Sequence, residues 1–231
     1  MVTFPNQGKI ERLELHGQMC MLDTTNKEVV VVLLSGCFTL GDKKFSRVNV
    51  FSDPANGFIA SNQGVLEINV EQMAEICIIE SKSSTPIPLQ IIEKTKVRTV
   101  GSDNFMRDVF TLVDNDNGLQ GLIVGETFKK PGNWSSWPPH KHDTYQEDTE
   151  SEQQEVYLYK FEKSNGYGLQ MIYEGDISDA NVEVVTNNQE VKIQRGYHPV
   201  VASPSSGMYY LWALFGSNKM FKTSDDPRFS K

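Results

Sequence analysis

The segment Asn133–Asp143, NWSSWPPHKHD, places two histidines one residue apart directly behind a pair of prolines. Proline cannot donate a hydrogen bond to a β-ladder, so the prolines mark the entry to a strand. Side chains at positions i and i+2 of a strand point to the same face. His140 and His142 are therefore predicted to present both imidazoles to one side, with Lys141 pointing away, which is a chelating arrangement.

The segments on either side of this one have the pattern of short β-strands. Runs such as VVVVLLSGCFTL, VLEINV, EVYLYKF and YYLWALFG are rich in β-branched and aromatic residues. Turn signals such as GD, DPANG and SNQG separate them. Successive strands follow one another at intervals of roughly eight to twelve residues, which is typical of an all-β sandwich or barrel.

Two β-rich halves flank the proline-containing segment SKSSTPIPLQ. A chain of 231 residues with 39% hydrophobic content can bury a core as one domain or as two small ones. We therefore expect two β-rich domains, an N-terminal one over residues 1–97 and a C-terminal one over residues 98–231, with the histidine pair in the second. No internal repeat is strong enough to prove a duplication.

Composition excludes several functions and predicts a cytoplasmic protein. The formal net charge is -8, whereas a nucleic-acid partner requires a cationic face. The longest apolar run, Val29–Leu34, is too short to span a bilayer, and the first residues lack the pattern of a secretory signal. Three cysteines without a CxxC spacing are expected to be reduced and buried.

A third histidine and a carboxylate complete the candidate metal site. His198, in QRGYHPVV, lies on another predicted strand of the same half. Glu155 opens the strand EVYLYKF, whereas Glu147 lies closer to His142 but within the acidic run Asp143–Glu155, whose middle is expected to be a solvated loop. Strand context favours Glu155, and Glu147 remains the alternative. Imidazoles with one carboxylate, and with positions left open, suit zinc, manganese, iron or nickel.

The chain resembles a known family. The motifs GETF, GNWSSWPPHKHD and GYHP together resemble the 5-deoxy-glucuronate isomerase family of myo-inositol catabolism, most clearly from about Val97 to Pro227. The resemblance implies an all-β bicupin with two jelly-roll barrels, of which the second holds a divalent metal, zinc or manganese. The implied ligands, shared with the uronate ketol-isomerases of pectin breakdown, are His140, His142, Glu155 and His198.

The implied reaction is an aldose-to-ketose isomerisation of a small uronate, which converts 5-deoxy-glucuronate into 5-dehydro-2-deoxy-gluconate. A side chain must carry the proton that moves between adjacent carbons. The candidates near the ligand strands are Tyr209, Tyr210, Lys141 and Asp143. For the substrate carboxylate, guanidinium groups are favoured, and the candidates are Arg107 and Arg195. Lys129 and Lys130 are expected to be solvated.

Two positions depart from the family pattern, Gln154 and Trp212, and both bear on the substrate. The alternatives are therefore a related cupin isomerase acting on another uronate, such as a pectin-derived 4-deoxy-5-keto-uronate, and a non-catalytic cupin that binds a sugar acid. Exposed strand edges in bicupins are often covered by partner chains, so a homo-oligomer is compatible with the resemblance.

Overall fold

The computed structural model describes residues 2–3, 8–92, 97–216 and 221–230, and these form β-strands with three short 3-10 turns. The strands of the first half are β1 (Val2–Thr3), β2 (Lys9–His16), β3 (Met19–Asp23), β4 (Lys27–Leu40), β5 (Lys43–Arg47), β6 (Asn56–Ser61), β7 (Val65–Asn69), β8 (Met73–Lys82) and β9 (Ile87–Ile92). Those that follow are β10 (Val97–Val100), β11 (Arg107–Val113), β12 (Leu122–Lys129), β13 (Trp134–Ser135), β14 (His140–Lys141), β15 (Gln154–Phe161), β16 (Tyr167–Ile172), β17 (Asn181–Thr186), β18 (Glu190–Ile193), β19 (Val200–Ala202), β20 (Met208–Phe215) and β21 (Ser224–Asp225). The all-β prediction is confirmed.

The chain divides into two compact units. The first comprises Met1–Thr95 with Leu112–Ile123, and the second comprises Lys96–Thr111 with Val124–Lys231. The tip of the β11–β12 hairpin therefore groups with the first unit. The division into a metal-free and a metal-holding barrel at residues 97 and 98 remains a prediction.

The first unit is a nine-stranded sheet in which β1-β2-β8-β4-β6-β9 run side by side. Its long strand β4 contains Val29–Leu34, which is buried because β8 and β6 flank it and both of its faces are covered. Gly36 follows a register shift of β4 against β8 and has φ +87°. A Cβ there would lie 2.2 Å from a main-chain oxygen of β8, so glycine is required.

Glu28 fixes the hairpin tip within the first unit. Its buried carboxylate accepts the main-chain N–H of Gln120 at 2.7 Å and that of Gly121 at 2.6 Å. Burial raises the pKa of Glu28, against the lowering effect of the two N–H groups. The contact holds residues 112–123 against strands that precede them by about ninety positions. Such a long separation is tolerated because the entropic cost of closing a loop rises only slowly with its length.

The second unit contains a six-stranded sheet of order β10-β11-β12-β20-β15-β18 and a four-stranded sheet of order β13-β19-β16-β17. Antiparallel partners directly opposite each other share a face. Glu155, Tyr157 and Tyr159 of β15 therefore share a face with their β20 partners, among them Tyr210 and Trp212. We call this the interior face.

Side chains of the two sheets of the second unit meet on the interior face. Tyr159 donates its hydroxyl to Gln170 of β16, and Tyr210 of β20 is hydrogen-bonded to Ser135 of β13. The sheets therefore pack face to face with polar as well as aromatic groups between them. β14 pairs with β21, which places His140 opposite Asp225.

The three cysteines are free, and one of them is buried. Cys20, Cys37 and Cys77 are all free, and Cys77 is fully buried, whereas the other two are partly exposed. Among the described residues, no helix has the length and apolar character needed to cross a membrane.

Candidate metal centre

Three buried side chains converge between the two sheets of the second unit. Glu155 Oε2 lies 3.2 Å from His142 Nε2 and 3.3 Å from His198 Nε2. Each of the three offers a ligand atom within 4.8 Å of the others, and this is the one such group of three among the described residues. They come from the segment after β14, from the start of β15 and from the loop before β19, so that tertiary structure alone brings them together.

The two histidine rings are oriented by main-chain carbonyl oxygens. His142 Nδ1 lies 3.0 Å from the oxygen of Gln153, and His198 Nδ1 lies 2.9 Å from that of Gly196. A proton on Nδ1 leaves the lone pair on Nε2, which is the arrangement that histidine ligands of metals commonly adopt. Nε2 of His198 is buried without a hydrogen-bond partner, since its contact with Glu155 lies outside hydrogen-bond geometry. This orphaned nitrogen fits a divalent metal at the cluster.

His140 stands at the open side of the cluster. Its ring centroid lies 4.9 Å from that of His198 and 6.5 Å from that of His142. Unlike the other two rings it is partly exposed, and neither of its nitrogens is hydrogen-bonded to a described residue. The sequence prediction that His140 and His142 face one side is consistent with this placement, and the role of all four residues as ligands remains a prediction.

The electrostatics of the cluster favour an ionised carboxylate. Burial raises the pKa of Glu155, but the close contacts with His142 and His198 and their charges outweigh it and set the pKa at about 2. Burial lowers the pKa of His142, and the contact with Glu155 reverses that effect and raises it. Burial, followed by the neighbouring His198 and His142, lowers the pKa of His140 well below its ordinary value. An anionic oxygen among imidazoles is a donor set that zinc and manganese accept.

The acidic loop is closed by Glu150 and Gln153. The buried carboxylate of Glu150 accepts two hydrogen bonds from Lys141 Nζ, at 2.8 and 2.9 Å, and the main-chain N–H of Asp143 at 2.9 Å. Gln153 N–H donates to the oxygen of His142 at 2.8 Å. Residues 144–149 are exposed, as expected for the middle of the acidic run, and Glu147 is among them. The loop therefore returns the chain to His142 just before Glu155.

Lys141 and Asp143 form hydrogen bonds beside the cluster. Besides Glu150, Lys141 Nζ donates to Asp143 Oδ1 at 2.9 Å. Asp143 Oδ2 accepts the main-chain N–H of Gly196 at 2.7 Å, and Gly196 in turn offers its oxygen to His198. Both residues were predicted as candidates for proton transfer, and here they form an ion pair with each other. The hydrogen bond between Asp143 and the Gly196 main chain links the His142 segment to the His198 loop.

The GETF motif, Gly125–Phe128, shapes the interior through Trp212. A Cβ on Gly125 would lie 2.1 Å from Trp212 Cζ2, so glycine makes room for the indole. The indole N–H donates to Thr127 Oγ1 at 3.1 Å. Trp212 thus lies on the interior face, whereas Gln154 precedes Glu155 and points to the opposite face. Of the two departures from the family pattern, Trp212 is the one that reaches the interior.

The two serines of NWSSW bind two interior tyrosines. Ser135 is hydrogen-bonded to Tyr210, and Ser136 Oγ lies 3.1 Å from the hydroxyl of Tyr157. The rings of Tyr157 and Tyr210 lie 4.5 Å apart, and Tyr157 lies 6.1 Å from the ring of His198. These contacts connect the NWSSW segment with the candidate metal centre as well as with the barrel wall.

Tyr209 lies on the face of its sheet opposite to Glu155. Its hydroxyl donates to Glu126 Oε1 at 2.8 Å, and its ring contacts Phe128 at 5.1 Å. Because strand residues alternate, Tyr210 reaches the interior and Tyr209 does not. The position of Tyr209 therefore does not support its predicted role in proton transfer at the cluster.

The two predicted arginines have different surroundings. Arg195 is exposed, with its Nε 3.0 Å from Glu174 Oε2 at the surface, so the prediction that it binds substrate is not supported by its position. Arg107 is partly buried and donates to the oxygens of Phe105 at 3.1 Å and Trp137 at 3.3 Å. Through the Trp137 oxygen, Arg107 contacts the NWSSWPPHKHD segment that carries His140.

Lys129 is a residue that sequence reasoning missed. The expectation that it is solvated is wrong, because it is 5% exposed and its Nζ donates to the oxygen of Val200 at 2.8 Å. Alternation along GETFKK places Lys129 on the same face as Gly125 and Thr127, and this was the available signal.

A two-sheet β-barrel that encloses a histidine and glutamate cluster is the arrangement of a cupin domain with a candidate metal centre. Residues 8–231 match the KduI/IolB family, and the chain belongs to that family. It is 31% identical over 91% of its length to the 5-deoxy-glucuronate isomerase of Geobacillus kaustophilus, of which it covers 80%. It is 29% identical over 87% of its length to the enzyme of the same name from Bacillus subtilis strain 168, of which it covers 78%.

Solved structures show the same architecture. An IolB-like protein from Salmonella typhimurium LT2 superposes with a TM-score of 0.89 at 25% identity, over 96% of this chain and 89% of that one. The oxalate decarboxylase of Lactobacillus farciminis superposes with a TM-score of 0.59 at 9% identity, over 96% of this chain and 80% of the other. The second likeness bears on the fold alone. The predicted bicupin fold and the predicted family are both confirmed.

Proposed function

We propose that this protein is a metal-dependent 5-deoxy-glucuronate isomerase, which forms 5-dehydro-2-deoxy-gluconate. The observation that carries the proposal is the buried cluster of His142, Glu155 and His198 in a chain whose curated relatives bear that enzyme name. The substrate class is a small sugar acid.

The metal would be held by His142, Glu155 and His198, with His140 as the fourth ligand from the open side. Zinc and manganese are the proposed ions, because both accept imidazole together with carboxylate. When bound, a divalent ion supplies a Lewis acid that stabilises the negative charge of an enediolate.

The protein's own groups orient these donors and supply protons. The carbonyl oxygens of Gln153 and Gly196 fix the ring tautomers, and the Asp143 carboxylate fixes the Gly196 main chain. Burial raises the pKa of Tyr210, so its hydroxyl keeps a proton at neutral pH. We assign to Tyr210 Oη the donation of a hydrogen bond to a substrate oxygen on which charge develops.

Free Cys20, Cys37 and Cys77 support a reducing compartment, and we infer a cytoplasmic location for the reaction. A homo-oligomer is the proposed assembly, since cupin strand edges need cover. Size-exclusion chromatography with light scattering gives the mass of the assembly, and a monomer at micromolar concentration contradicts that part of the proposal.

Metal analysis and a substrate panel test the function. The purified protein is analysed for metal and assayed with 5-deoxy-glucuronate and with 4-deoxy-5-keto-uronate. Stoichiometric metal with turnover of the first substrate supports the proposal, provided that chelation abolishes the turnover. Turnover of the second substrate alone moves the function to the pectin-type isomerases, and metal binding without any turnover identifies a non-catalytic sugar-acid cupin.

A further inference from the structure

Lys129 places an amino group inside the second unit without an acidic partner. Its side chain is buried, its Nζ donates to the oxygen of Val200 at 2.8 Å, and it lies 5.5 Å from the centroid of the Tyr210 ring. Among the described residues no carboxylate lies within ion-pair distance of it. Burying a cation without a counter-ion is strongly unfavourable, so such a residue calls for a role beyond packing.

Arg107 adds a second cation to the same region. Phe110, three residues further along β11, contacts Phe128 on the face that carries Tyr209, and alternation therefore turns Arg107 toward the interior face. Its hydrogen bonds go to the main-chain oxygens of Phe105 and Trp137, and no carboxylate of the described residues pairs with it. Burial, followed by the charge of Arg107, lowers the pKa of Lys129 well below its ordinary value. A bound anion would raise the pKa of Lys129 again and favour its charged form.

The two cations and the metal cluster share one interior. Tyr210, over which Lys129 lies, contacts Tyr157, and Tyr157 contacts His198. Arg107 acts electrostatically on His140 as well as on Lys129. An anionic group bound at Lys129 would therefore share the interior of the second unit with the histidines.

We propose that Lys129, together with Arg107, binds the carboxylate of the sugar-acid substrate, while the reacting carbons lie at the His142, Glu155 and His198 cluster. This inference rests on the proposed function and names the part of the site that selects an acid over a neutral sugar. A protein of net charge -8 must supply local cations to hold an anion, and these two are positioned to do so. Charge-assisted hydrogen bonds from ammonium and guanidinium groups recognise carboxylates.

The test compares Lys129→Met with Lys130→Met, a matched change at the exposed neighbouring lysine. Calorimetric titration with glucuronate and with glucuronamide measures binding of an acid and of its neutral analogue, and steady-state kinetics with 5-deoxy-glucuronate give kcat and KM. Lys129→Met is expected to weaken glucuronate binding and to raise KM by at least about tenfold, because it removes a charged hydrogen bond. Glucuronamide binding and metal content should stay unchanged, and Lys130→Met should match the wild type.

Arg107→Met provides a second variant and should also reduce the preference for the acid. The inference is overturned if both variants keep the wild-type preference for glucuronate over glucuronamide. A wild type that prefers glucuronate but does not turn over 5-deoxy-glucuronate refutes the proposed function, and in that case the loss of preference in Lys129→Met still supports the carboxylate subsite.

Discussion

His142 Nε2 and Glu155 Oε2 lie 3.2 Å apart, although thirteen positions separate the two residues in the chain. The intervening loop is closed by main-chain and side-chain hydrogen bonds of Gln153 with His142 and by the buried carboxylate of Glu150. Glu147 is nearer in sequence but is exposed on that loop. Strand context rather than sequence spacing therefore identifies the carboxylate of the cluster.

Glu155→Gln is expected to lower metal affinity at least about 100-fold and to abolish isomerase activity, because the neutral amide replaces an ionised oxygen between two imidazoles. Glu147→Gln is the matched control and should retain both. Elemental analysis after dialysis against a metal buffer measures the effect. Metal loss in Glu147→Gln with retention in Glu155→Gln would reverse the assignment.

The alternation of strand residues accounts for what could be predicted from the sequence. It turns Glu155 to the same side as Tyr157, as the register of β15 shows. His142 lies just after β14 rather than within it, and its ring centroid is 6.5 Å from that of His140. Alternation could not decide between Tyr209 and Tyr210, because that choice depends on which face of β20 lies inward. It could not exclude Arg195 either, because the pairing of Arg195 with Glu174 is a tertiary contact.

The burial of Lys129 also could not be predicted from the sequence alone. A lysine doublet before a turn is usually solvated, and composition gives no reason to bury one of its members. The register of β12 against Trp212 and Tyr210 is what turns Lys129 inward. Alternation groups Lys129 with Gly125 and Thr127, but only the pairing of strands that are far apart in the chain shows that this face lies inward.

Tyr210→Phe and Tyr209→Phe should separate catalysis from stability. Tyr210→Phe removes the hydroxyl that we assign to the substrate oxygen, and kcat should fall about 100-fold with metal content unchanged. Tyr209→Phe removes the donor to buried Glu126, and the free energy of unfolding should fall by about 1–3 kcal/mol with kcat retained. Kinetics and urea unfolding measure the two effects. Equal kcat in wild type and Tyr210→Phe would contradict the assignment.

Arg195→Ala should leave KM for 5-deoxy-glucuronate within about twofold of the wild type, because an exposed ion pair contributes little to binding or stability. The guanidinium is paired with Glu174 at the surface and is 62% exposed. Initial-rate measurements at several substrate concentrations give KM, and the wild type is the reference. A tenfold rise in KM would show that Arg195 reaches the substrate when it is bound.

Asp143 should contribute to stability in a pH-dependent manner. Burial raises the pKa of its carboxyl group, but Lys141, the Gly196 N–H and Thr144 outweigh this and lower the pKa from 3.8 to about 2. Because the folded-state pKa lies below the ordinary value, the stabilisation is present above pH 4 and is lost as the pH falls toward 2. Asp143→Asn cannot titrate, so the difference in unfolding free energy between wild type and variant should shrink over that range.

The measurement is urea unfolding of chelator-treated wild type and Asp143→Asn between pH 5 and pH 2.5, so that metal release does not contribute to the profiles. Glu147→Gln, which alters an exposed carboxylate on the same loop, is the control and should follow the wild type. A wild-type advantage over Asp143→Asn that stays constant across the range would mean that the carboxylate charge does not hold the His142 segment to Gly196. If the Asp143 carboxylate holds the Gly196 main chain in place, Asp143→Asn should bind metal more weakly than the wild type at neutral pH. Unchanged metal affinity in Asp143→Asn would also contradict that role.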